Sequence, residues 1–223
     1  MEERTVKGII LDAAPQGEYG RRLTLLTDQL GKVTAFAGGA ARAGSHIIGA
    51  VRPLTCAQFD LAKGRSAWNL HSVRVIDAFS ELSQDIDVSF YAMYILEAGA
   101  FFSESGMPED EAKALLNLMF VTLQAFREKA LMPELIRRIF ELRILKLQGE
   151  YTTEPSMEVT DNAEAVRRLW QYALTAPLTR LYDAEQIGAL PQGSAEVFGD
   201  SVGRLFRRQN AHNFRSLKVL DQI

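Results

Sequence analysis

The hydrophobic period changes near Ser80, and the change divides the chain into two parts that cannot share one architecture. Before it, Val6, Gly8 and Ile10 fall on one face of a period-two pattern and Lys7, Ile9 and Leu11 on the other. After it, Phe90, Tyr91, Tyr94, Ile95 and Ala98 follow helical spacing. The expected plan is α+β: a strand-built domain over residues 1–80 and an all-α domain over residues 81–223.

Within the strand-built part, Pro15 to Gly20 is a turn cluster that returns the chain into Arg21-Arg22-Leu23-Thr24-Leu25-Leu26. Asp28 to Gly31 permits a second return into Lys32-Val33-Thr34-Ala35-Phe36. Gly38 to Ser45 has the small, flexible composition of a mobile loop. Two further strands are expected over Val51 to Leu61 and Ala67 to Phe79, joined by the turn Ala62-Lys63-Gly64-Arg65-Ser66. Neither alternates cleanly, and a bulge near His71 and Ser72 accounts for the slip in phase. Five strongly bent strands in so short a stretch predict a small closed barrel, with the OB-fold as the leading form.

In the helical part, Asp85 precedes a first helix that Gly106-Met107-Pro108 ends. Leu115, Leu118, Met119, Leu123 and Phe126 form the stripe of a second, whose first turn carries Glu109, Asp110 and Glu111. Pro133 opens a third, in which Leu135, Ile139, Leu142 and Leu145 keep the stripe while Arg137, Arg138, Arg143 and Lys146 take other faces; Gly149 ends it. Glu150 to Asn162 reads as a surface connection, and helical pattern returns at Ala163 to Leu174. Asp183 with Gln186 resembles a capping box, Gly193 or Ser194 opens a helix carrying Phe198, Val202 and Phe206, and Phe214 to Leu220 forms the last.

The net charge of −3 is unevenly spread: residues 1–80 hold ten Lys and Arg against seven Asp and Glu, residues 81–223 fifteen against twenty-one. A cationic front half points to an anionic partner there, and the acidic remainder argues against coating nucleic acid with the whole surface. Cys56 is the only cysteine, so neither an intramolecular disulfide nor a thiolate metal cluster is available, which fits a reducing interior. Met-Glu-Glu-Arg leads straight into strand pattern and no run of ~18 apolar residues occurs, so a cytoplasmic protein without an anchor is expected.

The order of short motifs carries a resemblance. Lys7-Gly8-Ile9-Ile10-Leu11, Gly17-Glu18, Leu25-Leu26-Thr27 with Gly31-Lys32-Val33, a Gly-Ala-Arg loop ending at Ser45, and Val51-Arg52-Pro53-Leu54 follow one another as in the RecO recombination-mediator family of bacteria. Tyr91 to Glu97, Phe140 to Leu145 and Phe214 to Leu220 are similar to that family too. The resemblance implies a non-enzymatic DNA repair and recombination protein, with an OB-fold on a helical domain, that binds single- and double-stranded DNA and anneals complementary strands. It also implies work with the tail of single-stranded DNA-binding protein, with RecR and with the RecA recombinase, in a cytoplasmic, nucleoid-associated setting.

Two departures stand out. Many relatives carry a four-cysteine zinc finger after the third helix; here Gly149 leads into Glu150-Tyr151-Thr152-Thr153-Glu154-Pro155, so no zinc and no other cofactor is expected. The loop after strand three, usually rich in Lys and Arg, here keeps Arg42 alone among Gly38, Ala41 and Gly44.

The candidate DNA-binding residues are Lys7, Arg21, Arg22, Lys32, Phe36, Arg42, Lys63 and Arg65. Cations spaced along one barrel face neutralise successive phosphates and release counterions; the competing reading is a solvated surface. Phe36, Phe59 and Trp68 offer stacking platforms if exposed, although a strand aromatic is more often core, and Phe36 is the best exception because it shares its face with Lys32. Arg137, Arg138 and Arg143 are candidates to receive an acidic, hydrophobic-ended partner peptide, against a solvated helix face. Arg207 and Arg208 have no preferred assignment.

Catalysis finds little support: His46, His71 and His212 are far apart, Cys56 has no nucleophile signature, and Gly38-Gly39 lacks the Lys and helix of a phosphate loop. The competing function is a protein-interaction adaptor of the same fold that binds DNA weakly or not at all.

Overall fold

The computed structural model describes residues 2–42, 44–45, 47–129, 131–150, 161–177, 179–181, 183, 190–210 and 212–220. His46, the connection over 151–160 and Gln186 of the expected capping box lie outside them.

Alternation in the front part produces five strands, β1 Glu3–Gln16, β2 Gly20–Thr27, β3 Gly31–Ala37, β4 Cys56–Lys63 and β5 Trp68–Asp77. They close into a barrel in the order β1-β2-β3-β5-β4. All neighbours are antiparallel except β3 and β5, whose parallel pairing is short. This is the OB-fold. Val6, Ile10, Leu23, Leu25, Phe59 and Leu61 point inward and fill the barrel. Three register slips, at Leu11, His71 and Ile76, each place an extra residue on one strand and increase local twist, which lets so few strands close. The slip at His71 falls where the broken alternation put it.

Two expectations for the barrel change. The fourth strand begins at Cys56 rather than Val51: Pro53 has no N–H for a ladder and Leu54 sits at φ 72°, so the preceding segment forms turns. The Gly38 to Ser45 loop is anchored rather than wholly open, because Ala40 is buried in the barrel core and the Ala41 N–H donates to Tyr19 O at 2.9 Å.

Residues Ser80–Gln84 form a 3-10 turn, followed by α1 Ile86–Phe102, α2 Glu109–Glu128, α3 Pro133–Leu147, α4 Asp161–Thr175, α5 Ser194–Gln209 and α6 Arg215–Leu220. Asp85 caps α1, its Oδ1 accepting from the Val88 N–H at 3.3 Å. The chain divides into two compact units, Met1–Leu116 and Asn117–Ile223. Secondary structure changes near residue 80, but the unit built on the barrel extends further and takes in α1 and the start of α2. Gly31 shows why. Its φ of 64° makes the β2–β3 turn, and a Cβ there would lie 2.4 Å from Glu104 O, so only glycine lets the turn pair with the segment after α1. The Lys32 N–H donates to Glu104 O at 2.9 Å, and the Gly106 N–H to Leu30 O at 3.2 Å.

In the second unit α3 is buried on nearly every side, with α4 and α5 against it. Trp170 of α4 meets Phe198 of α5 edge-on at 5.9 Å, and Phe206 packs on Phe214.

Candidate functional site

Consecutive residues of a strand point to opposite faces, so the register decides which cations share a surface. On the outer face of β2 and β3, Arg22 opposes Phe36, Thr24 opposes Thr34, and Leu26 opposes Lys32. Asn69 of β5 pairs with Phe36 from the other side. At one end this face is covered: Ile9 and Leu26 are fully buried although they point away from the barrel interior. At the other end, Arg22 and Thr34 are exposed and Phe36 half-buried.

Beside this face lies a groove of about 440 Å³, lined by Thr24, Lys32, Thr34, the β4–β5 turn with Lys63, Arg65 and Ser66, Trp68, and Ser105. Three of the expected cations therefore meet at one groove, and Arg22 and Phe36 continue its β2–β3 wall. The Lys32 ammonium donates to Ala100 O in the last turn of α1 at 2.6 Å, where the helix dipole favours a cation, and its other two N–H donors are left for the groove. Lys63 lies 3.0 Å from Glu2 Oε2 and 6.0 Å from the Trp68 ring centre. Lys63, and then Arg4, hold the Glu2 carboxyl below the usual carboxylate range. Such exposed pairs are weak and exchange readily for another anion.

The other expected cations do not join the groove. Arg21 opposes Ala37 on the inner side, at the barrel mouth, and is half-buried. Lys7 stands on the β1–β4 seam opposite Gln58, and its N–H donates to Asp28 Oδ1 at 3.0 Å. Arg42 lies over the Tyr19 ring, 5.6 Å from its centre, where the β1–β2 turn meets the glycine-rich loop. Of the other aromatics, Phe59 is fully buried and Trp68 packs partly against the barrel core. Thr24, Thr34, Ser66 and Ser105 line the groove without having been singled out in the sequence; the two-residue spacing from Arg22 and Phe36 is the signal that finds the threonines.

The three arginines expected to receive a peptide are corrected. Arg137 and Arg143 are buried and Arg138 mostly so, because α3 is the central helix and its non-stripe faces are covered as well. Glu134 Oε1 accepts from Arg137 and, at 2.9 Å, from Arg138 Nε; the fully buried Glu141 accepts from Arg138 Nη1 at 2.8 Å. Arg143 donates to Ala173 O at 3.1 Å and to Arg180 O at 3.0 Å, and burial pushes its pKa down. These guanidiniums hold the unit together. Arg207 and Arg208, in the last turn of α5, are exposed.

Cys56 is buried, and burial followed by the nearby Asp77 charge pushes its thiol up to about 12, the opposite of an activated nucleophile. Among the described residues no group of three or more His, Cys, Asp and Glu is arranged to hold a metal ion, and no helix is long and apolar enough to cross a membrane.

Fold and surface define a class: an OB-fold barrel with cations, hydroxyls and an aromatic ring gathered at its β2–β3 face, followed by a helical region. Comparison with known proteins narrows it. Residues 1–79 match the family model described as Recombination protein O N terminal. The chain is 31% identical over 144 residues to the DNA repair protein RecO of Caldicellulosiruptor bescii, covering 64% of this chain and 57% of that protein. It is 31% identical over 143 residues to the protein of that name from Alkaliphilus metalliredigens, covering 64% and 57%. To the one from Exiguobacterium sibiricum it is 33% identical over 143 residues, covering 64% and 56%. The barrel matches the N-terminal model of the RecO family, and the similarity to RecO proteins extends over 64% of this chain. The match spans less than two thirds of the length of these curated relatives.

Proposed function

We propose that this chain is a DNA repair and recombination mediator that binds DNA on the β2–β3 face of its barrel and anneals complementary strands. The observation that carries the reading is the convergence of Lys32, Lys63 and Arg65 on one groove beside the outer strand face that holds Arg22 and Phe36. In OB-folds this face and the β4–β5 loop are where oligonucleotides lie. Phosphates follow the cations, and a base stacks on the exposed part of Phe36 with Asn69 alongside. Annealing needs no bond-making residue: cations screen the repulsion between two backbones while bases pair. The protein is accordingly a mediator and not an enzyme.

The same reading includes help in loading RecA onto single strands coated by single-stranded DNA-binding protein, together with RecR, in the bacterial cytoplasm. The acidic tail of single-stranded DNA-binding protein docks on the helical unit through cations other than Arg137, Arg138 and Arg143, and Arg207 and Arg208 are exposed for it.

The second reading, an interaction adaptor with weak DNA binding, is favoured by one observation: the glycine-rich loop offers only Arg42, already stacked on Tyr19. Binding of a labelled single strand at low salt, with acceleration of annealing of complementary oligonucleotides, supports the mediator. Absence of both leaves the adaptor.

A further inference from the structure

α1 departs from the pattern of a surface helix. Val88, Ala92, Ile95, Leu96 and Phe102 form its buried side. Ile86, Met93 and Phe101, on the opposite side, are nonetheless 72%, 45% and 42% exposed. Helical geometry puts these three on one face, with half-buried Phe90 between the first two. An outward helix face is ordinarily polar, whereas here only Glu97 interrupts the three apolar side chains.

Charge says what covers it. Between Arg74 and Lys113 the chain holds nine Asp and Glu and no Lys, Arg or His. Asp87 and Glu97 stand on α1 itself, with Glu104 just beyond its end. We infer that the outer face of α1 docks a cationic amphipathic segment of another protein, one that sets apolar side chains on Ile86, Met93 and Phe101 and Lys or Arg against the acidic surround. A phosphate backbone or an anionic bilayer would meet charge of its own sign. A second copy joined through the same face would bring one acidic surround against the other. An amphipathic helix with anchors one and two turns apart and a basic flank satisfies both requirements. The inference uses none of the groove residues, although Lys32 of the groove binds Ala100 O at the end of α1, beside Phe101.

The test uses the full chain and two labelled synthetic peptides of 18 residues as probes: one with a Leu face and Lys elsewhere, the other with Glu replacing every Lys. Fluorescence anisotropy should show the cationic peptide binding at low salt and weakening as salt rises, with no binding of the acidic one. Met93→Ser and Ile86→Ser should each reduce affinity tenfold or more, as should the double charge reversal Asp87→Lys with Glu97→Lys. Thermal melts identify any variant that unfolds, and Ile86, the most exposed of the three, supplies the variant least able to do so. Single-strand DNA binding by Met93→Ser should be unchanged. Equal binding of both peptides, no binding of the cationic one, undiminished binding by folded Ser variants, or a dimer in light scattering that Met93→Ser dissociates would each overturn the inference.

Discussion

Arg22 and Phe36 are directly opposed on the outer face of β2 and β3, whereas Arg21, one residue earlier, opposes Ala37 on the inner side. Two adjacent arginines thus have different surroundings, and their substitutions should behave differently. Arg22→Glu is expected to weaken single-strand DNA binding at least tenfold with little change in stability. Arg21→Glu, with its half-buried side chain at the barrel mouth, should lower stability more than Arg22→Glu does. Phe36→Ala should cost DNA binding about 1–3 kcal/mol if a base stacks there. Anisotropy titrations paired with urea unfolding separate the effects.

Lys32 has two tasks, and one is structural. Its ammonium holds Ala100 O at the end of α1, so Lys32→Met should destabilise the barrel unit by about 1–2 kcal/mol, at or below the usual range for a charged hydrogen bond because the site is half-exposed. Lys63→Met and Arg65→Met, whose side chains are exposed in the β4–β5 turn, should leave urea midpoints nearly unchanged.

Gly199 and Gly203 of α5 both lie under Arg138. A Cβ on Gly203 would meet Arg138 Nη1 at 2.8 Å, where the guanidinium is held by Glu134 and Glu141; a Cβ on Gly199 would meet Arg138 Cγ at an ordinary 3.5 Å. Gly203→Ala should therefore destabilise by about 1–3 kcal/mol by displacing a pair that cannot easily move. Gly199→Ala should be neutral or stabilising by up to about 1 kcal/mol through helix propensity. Chemical denaturation of the two variants checks the contrast.

Cys56 predicts a pH dependence. Its folded pKa of about 12 exceeds the ordinary thiol value of 9.0. Above pH about 9 the unfolded chain releases this proton while the folded chain keeps it, so the unfolded state binds fewer protons and stability falls as pH rises toward the folded value. Other groups titrate in the same window, so the readout is the difference in slope between this protein and Cys56→Ala, which should lack that part of the fall. Iodoacetamide at pH 8 should label Cys56 only after unfolding.

The barrel was legible because period-two alternation and turn residues are local signals. Even the bulge at His71 showed as a break in phase, and Asp85, Pro133 and Gly149 marked helix ends by their own backbone chemistry. What was not legible depended on partners remote in sequence. The arginines of α3 looked solvated because one helix face suffices for a stripe, yet a helix enclosed by α4 and α5 buries its other faces too and must pair the charges with Glu134 and Glu141 or cap carbonyls with them. The cations of the front part were correctly seen as numerous, but which of them meet depends on strand register: Lys32, Lys63 and Arg65 converge, and Lys7 is carried to another seam. That α1 would carry apolar side chains on its exposed face too could have been read from the helical spacing of Ile86, Met93 and Phe101, with only Glu97 among them.

The central claim is that the groove cations and Arg22 contact phosphates, and the salt dependence of binding tests it most directly. Affinity for a labelled single strand, measured from low to moderate salt, should fall with a slope of log affinity against log salt near −3, about 0.7 for each of roughly four phosphate contacts. The combined charge reversal of Arg22, Lys63 and Arg65 should flatten that slope to about −0.7 or less in magnitude, the contact left to Lys32. A slope that the triple variant leaves unchanged, or no binding at low salt, would contradict the account.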